Sequence, residues 1–157
     1  NVVTPETGEA LRFLMRLNAE VGSAKKADVQ EYFIGGKTGT ANKVVNGRYS
    51  EDRVLTAFMG IAPADKPHYL FLTILDEPQA LPETSGFRTS GWNAVPVTRD
   101  VMRRVLPFLP VAPYKERPNS PFPTMVRIAA WGSERFRPVL PVSNQPTMEA
   151  GAAPVKP

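Results

Sequence analysis

The order of elements along the chain predicts an α+β fold, with antiparallel sheet strands flanked by helices. Two segments carry apolar residues at the 3.6-residue spacing of helices. Between them lie three segments rich in β-branched and aromatic residues. The connections between these three segments are short, which favours an antiparallel meander.

The first helix is predicted over residues 4–22. Thr4 is a typical N-cap, Pro5 suits the first helical position, and Gly22 is typical of a helix end. The apolar residues that recur on one side of this helix are Ala10, Leu14, Leu17 and Val21, with Leu11 and Met15 beside them. We expect this stripe to face the core.

Three strands are predicted, over residues 37–45, 53–63 and 69–78. Asn46-Gly47 follows the first strand, and this dipeptide is typical of tight hairpins. The loop between the second and third strands has the length of a hairpin connection.

The second helix is predicted from about residue 93 to residue 106. Pro96 fits its first turn, and Pro107 ends it. The apolar side of this helix consists of Val97, Val101 and Val105, with Met102, Leu106 and Leu109 beside them. Both helices are therefore expected to cover the sheet.

The prolines divide the chain into two parts. Eleven of the seventeen prolines lie from Pro107 onwards. This split indicates a folded body over residues 1–110 and a Pro-rich, disordered tail over residues 111–157. The sequence starts with Asn1, not Met, and holds no apolar run of transmembrane length, so we expect it to be a piece of a longer protein.

Composition excludes several kinds of site. The chain has no cysteine and one histidine, His68, so thiolate and histidine metal clusters are excluded, and no metal or cofactor is expected. The net charge is +4, but the basic residues are dispersed, and nucleic-acid binding is not expected.

Lys37-Thr38-Gly39-Thr40 opens the first strand and is the candidate site. If this strand is an edge, its backbone can bind an extended peptide by β-augmentation. Gly39 removes a side chain that would obstruct close approach. The hydroxyls of Thr38 and Thr40 can bind a carboxylate, with Lys37 supplying positive charge. A lysine, two β-formers and a glycine could equally open an ordinary strand.

Longer segments around this tetrad resemble class B penicillin-binding proteins, and most closely their septal, FtsI-like D,D-transpeptidases. The resemblance covers residues 2 to about 106 in order. The segments that carry it are VVTPETGEALRFLM, GGKTGTANKVVNGRYS, TAFMGIAPADKPHYLFLTILDEPQA and GWNAVPV. K-T-G is also one signature of penicillin-binding proteins and serine β-lactamases. The resemblance implies the C-terminal part of a transpeptidase fold.

The resemblance also implies roles for the tetrad. Lys37 would act near the catalytic groups, and Thr38, Gly39 and Thr40 would bind substrate. Their ligand would be the terminal carboxylate of a D-Ala-D-Ala stem peptide of peptidoglycan, or a β-lactam that mimics it. The backbone N–H of Thr40 would be one oxyanion-hole donor, and removing one such donor typically costs about 10²–10³ in rate.

The nucleophile of this family is expected outside the chain. Ser23-Ala24-Lys25-Lys26 spells S-x-x-K, but it follows a helix end instead of opening a long apolar helix, and no S-x-N is present. The implied partners are the missing N-terminal part of the same domain and division proteins of the inner membrane. The implied location is the periplasmic side of that membrane, with the anchor outside this chain. Without the nucleophile the chain alone should be inactive.

Two alternatives stay open at this point. One is another penicillin-recognising serine enzyme, such as an elongation transpeptidase, a sensor or a β-lactamase. The other is a non-catalytic module that binds peptides along its exposed strand.

Other polar residues are assigned simpler roles. His68 is expected to be a solvated loop residue. Asp76 and Glu77 should face opposite ways at a strand end. The segment 88–90 is a weak candidate for substrate contact, and Trp92 is expected to anchor packing.

Overall fold

The computed structural model describes residues 2–29 and 31–113. It contains two α-helices and three strands, in the order helix, three strands, helix. They are α1 (Pro5–Val21), β1 (Gly35–Val45), β2 (Arg48–Ala62), β3 (Tyr69–Asp76) and α2 (Ala94–Val105). The predicted α+β order is thus confirmed. Most of the predicted tail lies outside the described residues.

The strands form one antiparallel sheet in the order β1-β2-β3. Asn46 and Gly47 join the first two strands, and both have positive φ, 51° and 78°. This backbone conformation is typical of a type I′ hairpin turn. In the described sheet β1 pairs only with β2, so it is an edge strand.

One face of the sheet carries the core. Phe58 on β2 is completely buried and packs in a cluster with Val95, Met102 and Leu106, which come from α2 and the turn after it. Leu75 and Phe71 on β3 pack against the same cluster. The covering helix therefore lies across β2 and β3.

The termini of α1 were predicted correctly. The Thr4 side chain accepts a hydrogen bond from the Thr7 N–H at 3.3 Å, as an N-cap does. The helix ends at Gly22, which is not left-handed, since its φ is −102°. Glycine is needed there for space, because a Cβ would overlap the Asn18 side chain.

The buried side of α1 was predicted wrongly. Its buried residues are Phe13, Arg16 and Ala19, whereas Leu14 and Val21 are 56% and 55% exposed. Arg16 sets this orientation, because its guanidinium reaches acceptors on other elements only when that side of the helix faces inwards. Of the predicted apolar stripe, Leu11, Leu14 and Val21 are exposed, and Ala10, Met15 and Leu17 are half-buried.

A similar difference occurs in α2. Met102 and Leu106 are buried as expected, but the predicted valine stripe is exposed, with Val101 at 44%. The residues of the helix that face the core are Ala94, Val95, Thr98 and Met102. The sheet selects this side because the Thr98 hydroxyl, which donates to the Ala94 carbonyl, also lies 2.7 Å from the Thr73 Oγ1 of β3.

The opposite face of the sheet is apolar and open within the described chain. On β3 the residues Leu70, Leu72 and Ile74 are 61%, 59% and 55% exposed. Leu55 of β2 is also exposed on this face. An apolar sheet face of this kind usually marks an interaction surface.

Candidate active-site strand and pocket

The tetrad Lys37–Thr40 lies near the start of β1, on the open edge of the sheet. Its residues pair with Met59, Phe58, Ala57 and Thr56 of β2, in that order. Within the described chain no strand pairs with the other edge of β1. An extended peptide could therefore add to this edge by main-chain hydrogen bonds.

The glycines around the tetrad differ in what they are needed for. A Cβ on Gly36 would overlap the Phe58 ring, and a Cβ on Gly35 would lie 3.0 Å from the Ala64 Cβ. At Gly39 the nearest atoms to such a Cβ are those of Ala57, at 3.8 Å, which is an ordinary contact. The described packing therefore requires glycine at residue 36, leaves little room for a Cβ at residue 35, and accommodates one at residue 39.

The hydroxyls of Thr38 and Thr40 lie on the face of β1 that continues into the covered side of the sheet. The Thr38 Oγ1 is 2.8 Å from the Ser23 Oγ. The Thr40 Oγ1 accepts the backbone N–H of Ser90 at 3.1 Å. Both hydroxyls are thus held by neighbouring segments.

These two threonines line an open pocket of about 320 Å³. Its second wall is the connector after α1, which contributes Gly22, Ser23, Lys25 and Lys26. Its third wall is the loop before α2, residues 89–92. Hydroxyls and ammonium groups therefore surround one cavity, a combination suited to an anionic group.

Trp92 forms part of this wall and packs as expected. Its ring stacks on Phe87 with centroids 5.2 Å apart. The Lys26 Nζ lies 3.1 Å from the centroid of the Trp92 ring, in a cation–π contact. The pair holds the Lys26 ammonium at the pocket.

Lys37 lies on the other face of β1 from the two threonines, as the alternation of a strand requires. Its Nζ donates to the carbonyl oxygen of Thr38 at 2.6 Å. It is not among the residues that line the pocket, whose cations are Lys25 and Lys26. Lys25 and Lys26 stand in the S-x-x-K tetrad, but nothing in the sequence places them beside the threonines.

Ser23 of that tetrad contacts polar groups other than Lys26. Its hydroxyl donates to the Asn18 Oδ1 at 3.2 Å and lies beside Thr38. Lys26 is instead held over the Trp92 ring. No described contact pairs the two as a nucleophile and its base.

The loop residues weighed as candidate site residues are either exposed or hydrogen-bonded to the backbone. His68 is exposed in the loop after β2, as expected. Arg88 donates to the Asp52 carbonyl at 2.8 Å, while Ser90 is buried and donates to the Ala57 carbonyl at 2.7 Å. Of the segment 88–90, Thr89 and Ser90 line the pocket.

Asp76 and Glu77 do not diverge as predicted. Both accept from the Lys43 Nζ, each at 2.8 Å. Glu77 follows the end of β3 and has a positive φ of 49°, which turns it out of strand alternation. A register shift around residue 43 lies opposite this end of the sheet. The hydrogen bonds to Asp76 and then Glu77 raise the pKa of Lys43.

Two kinds of feature are absent from the described residues. No group of three or more histidine, cysteine or carboxylate side chains is arranged to hold a metal ion in residues 2–29 and 31–113. Neither helix of this part is long and apolar enough to cross a membrane.

Comparison with known proteins identifies the family. The model of the penicillin-binding protein transpeptidase domain matches residues 1–103. The chain belongs to this family, which confirms the resemblance drawn from the tetrad and its flanking segments.

Curated relatives agree with this assignment. Stage V sporulation protein D of Bacillus subtilis is 34% identical over 116 residues, 74% of this chain and 17% of the relative. The probable peptidoglycan D,D-transpeptidase FtsI of Caulobacter vibrioides is 38% identical over 119 residues, 70% of this chain and 20% of the relative. The chain thus spans about a fifth of the length of these relatives.

Solved structures show the same fold. The transpeptidase domain of Burkholderia pseudomallei penicillin-binding protein 3 matches with a TM-score of 0.61 and 30% identity, covering 71% of this chain and 33% of that one. Mycobacterium tuberculosis penicillin-binding protein 3, complexed with ampicillin, matches with a TM-score of 0.54 and 26% identity, covering 71% of this chain and 26% of that one. The expected transpeptidase fold is confirmed.

Proposed function

We propose that this chain is the C-terminal part of a septal peptidoglycan D,D-transpeptidase domain and that it binds the terminal carboxylate of a D-Ala-D-Ala stem peptide. The observation that carries the proposal is the pocket where Thr38 and Thr40, on an open edge strand, meet Lys25 and Lys26. The family assignment supports the reaction class.

Recognition would use both the edge and the pocket. The stem peptide would lie along the open edge of β1, where its main chain could form strand-like hydrogen bonds. Its carboxylate would accept from the two threonine hydroxyls, and the pocket lysines would favour its negative charge. Gly39 supports this arrangement, because the described packing leaves space there that no side chain occupies.

The reaction would be acyl transfer through a serine ester. A serine from the remaining part of the domain attacks the penultimate D-alanine carbonyl, and D-alanine leaves. An amine of a neighbouring stem then attacks the ester and releases the serine. Lys37 would have to reach these groups around the open edge of β1, because its side chain lies on the face opposite the pocket. The Thr40 N–H would donate to the oxyanion. A β-lactam would acylate the same serine.

The open apolar surfaces support the assignment of residues 1–110 to a larger domain. The β3 face around Leu72 and the outer side of α1 around Leu14 are exposed here. Burying apolar surface stabilises an association by roughly 25 cal/mol per Å². We assign both surfaces to contact with the remaining part of the transpeptidase domain, and residues 111–157 to a tail outside it.

The family also supports a cellular setting. A peptidoglycan cross-linking enzyme works on the outer side of the cytoplasmic membrane, where its substrate is. We place this protein on the periplasmic side of the inner membrane, held by an anchor elsewhere in the protein, beside division proteins.

A labelling experiment tests the function. The chain is combined with the remaining part of its domain and a fluorescent penicillin, and covalent labelling is measured. We expect stable labelling, strongly reduced by Thr40→Val and unchanged by Thr7→Val, which alters an exposed threonine of α1. Peptide binding without labelling would indicate a binding module instead, and rapid loss of the label would indicate a β-lactamase.

A further inference from the structure

A chain of hydrogen bonds connects the end of α1 to the tetrad strand. The Asn18 Nδ2 donates to the Gly36 carbonyl at 2.9 Å, which fixes the orientation of the Asn18 amide. Its Oδ1 accepts from the Ser23 hydroxyl at 3.2 Å. The Ser23 Oγ in turn lies 2.8 Å from the Thr38 Oγ1. Two side chains outside the strand therefore determine how Thr38 is held.

The number of protons fixes the direction of this chain. A serine hydroxyl has one proton, and Ser23 gives it to Asn18. The close contact between Ser23 and Thr38 is then satisfied only if Thr38 donates to Ser23. In this arrangement the Thr38 oxygen presents lone pairs, and not its proton, to the pocket.

Thr40 is arranged in the opposite sense. Its oxygen accepts the Ser90 N–H, a group that cannot reverse its direction. Ser90 is itself buried and fixed, because its hydroxyl donates to the Ala57 carbonyl at 2.7 Å. The Thr40 proton has no acceptor among the hydrogen bonds of the described chain, so it can point into the pocket.

A carboxylate only accepts hydrogen bonds, so it needs the protons of both threonines. The Thr40 hydroxyl can donate to the carboxylate without rearrangement, whereas the Thr38 hydroxyl must first rotate its proton away from Ser23. The contact of Ser23 with Thr38 survives this turn only if Ser23 rotates its own proton from Asn18 to Thr38. The bond lost in that rotation is the longest of the chain, at 3.2 Å, and therefore its weakest.

We propose that Ser23 is a positioning residue that holds the Thr38 side chain and reverses its hydrogen bond when a carboxylate binds. The proposal rests on the proposed function and adds to it a residue outside the tetrad. Ser23 would not touch the ligand or react. When Thr38 turns its proton from Ser23 to the ligand, Ser23 would donate to the Thr38 oxygen. The two hydroxyls would therefore stay hydrogen-bonded to each other.

Two measurements on the full chain test this role. The first needs no ligand: the χ1 angle of Thr38 is followed by NMR coupling constants. Ser23→Ala should allow Thr38 to populate several rotamers, whereas Ser23→Thr, which keeps the hydroxyl, should retain one. Ser85→Ala, in the exposed loop after β3, is the matched control and should change nothing. A single unchanged Thr38 rotamer in Ser23→Ala would overturn the proposal.

The second measurement compares N-acetyl-D-Ala-D-Ala with its C-terminal amide. In the native chain the acid should bind more tightly than the amide. Ser23→Ala should weaken the acid by about two- to tenfold, the usual value of one hydrogen bond, and leave the amide unchanged. A general structural defect would weaken both, and Ser23→Thr should restore the preference.

The outcomes separate this proposal from the proposed function. If the native chain does not distinguish acid from amide, the carboxylate site itself is wrong and Ser23 loses its role with it. If the native chain distinguishes them and Ser23→Ala does so equally well, only the role of Ser23 is wrong.

Discussion

The Arg16 Nη1 of α1 donates to the carbonyl oxygen of Ile34, the residue before β1, at 2.8 Å. The same nitrogen donates to the Asp28 Oδ1 at 2.7 Å, and the Arg16 Nε donates to Glu20. The guanidinium also lies over the Phe33 ring, 4.7 Å from its centroid. One buried cation thus fastens the helix to the start of the tetrad strand.

Arg16→Met should destabilise the chain strongly. The substitution leaves the Ile34 carbonyl and two carboxylates without their donor, and breaking a buried ion pair typically costs about 3–5 kcal/mol. Urea unfolding measures the difference. Arg12→Met is the control, because Arg12 lies one turn earlier on α1 and takes part in none of the ion pairs found among the described residues. Equal effects of the two substitutions would contradict the anchoring role of Arg16.

Gly36→Ala should lower the stability of the chain, whereas Gly39→Ala should leave stability nearly unchanged and lower ligand affinity. At residue 36 the added Cβ overlaps the Phe58 ring, and overpacking of this kind costs about 1–3 kcal/mol. At residue 39 the Cβ fits, so stability should stay within about 0.5 kcal/mol. Gly39→Ala should nevertheless weaken N-acetyl-D-Ala-D-Ala binding, because its methyl group would obstruct a peptide main chain that lies along the edge of β1. Normal binding by this variant would argue against a ligand along that edge.

Removing the pocket lysines should weaken acid binding selectively. A double variant, Lys25→Met with Lys26→Met, should reduce the affinity for N-acetyl-D-Ala-D-Ala by about two- to fivefold, as expected for exposed ion pairs. The amide should be unaffected, and the difference should shrink at high salt. A double variant away from the pocket, Arg48→Met with Lys66→Met, removes the same number of charges from exposed positions and controls for net charge. An equal loss with this control would show that overall charge, and not the pocket, attracts the acid.

The ion pairs of Lys43 should make stability depend on pH in the alkaline range. Its hydrogen bonds to Asp76 and Glu77 raise the folded-state pKa of Lys43 above its ordinary value of 10.5. The stabilisation is therefore complete below that value and is lost as pH rises through the raised pKa. The stability gap between the native chain and Lys43→Met should thus be present at neutral pH and should narrow as the pH rises above 10.5. A gap that is constant over this range would contradict the assignment.

Leu72→Ser should affect contact with the rest of the domain, whereas Leu75→Ser should affect the folding of this chain. Leu72 is exposed on the open face of β3, whereas Leu75 packs against the core on the other face. Leu75→Ser should lower the unfolding midpoint clearly, and Leu72→Ser should hardly change it. In the labelling experiment, Leu72→Ser should reduce association with the remaining part of the domain. Undiminished association would place that contact elsewhere.

Local chemistry made much of this structure predictable. The Thr4 cap, the stop at Gly22 and the Asn46-Gly47 turn depend on neighbouring residues, so the sequence indicates them directly. The side of α1 that is buried could not be found this way. It depends on acceptors for Arg16 that lie 12 and 18 residues further along the chain.

The same distinction applies to the site. The tetrad and its face alternation follow from strand geometry and were predicted. The contacts of Ser23 and Lys26 with Thr38 and Trp92 depend on how the connector folds back over β1. Their only signal in the sequence was a serine and a lysine at S-x-x-K spacing, which points to a different chemistry.

The strand from Lys37 to Thr40 has different surroundings on its two faces. Lys37 lies on one side, and the pocket with its own two cations lies on the other. Thr38 alone is held from both, through its carbonyl and through its hydroxyl. Under the proposed function, substitutions in the pocket wall would change which anion binds and leave the surroundings of Lys37 unaltered, so that substrate selectivity and reactivity could change independently.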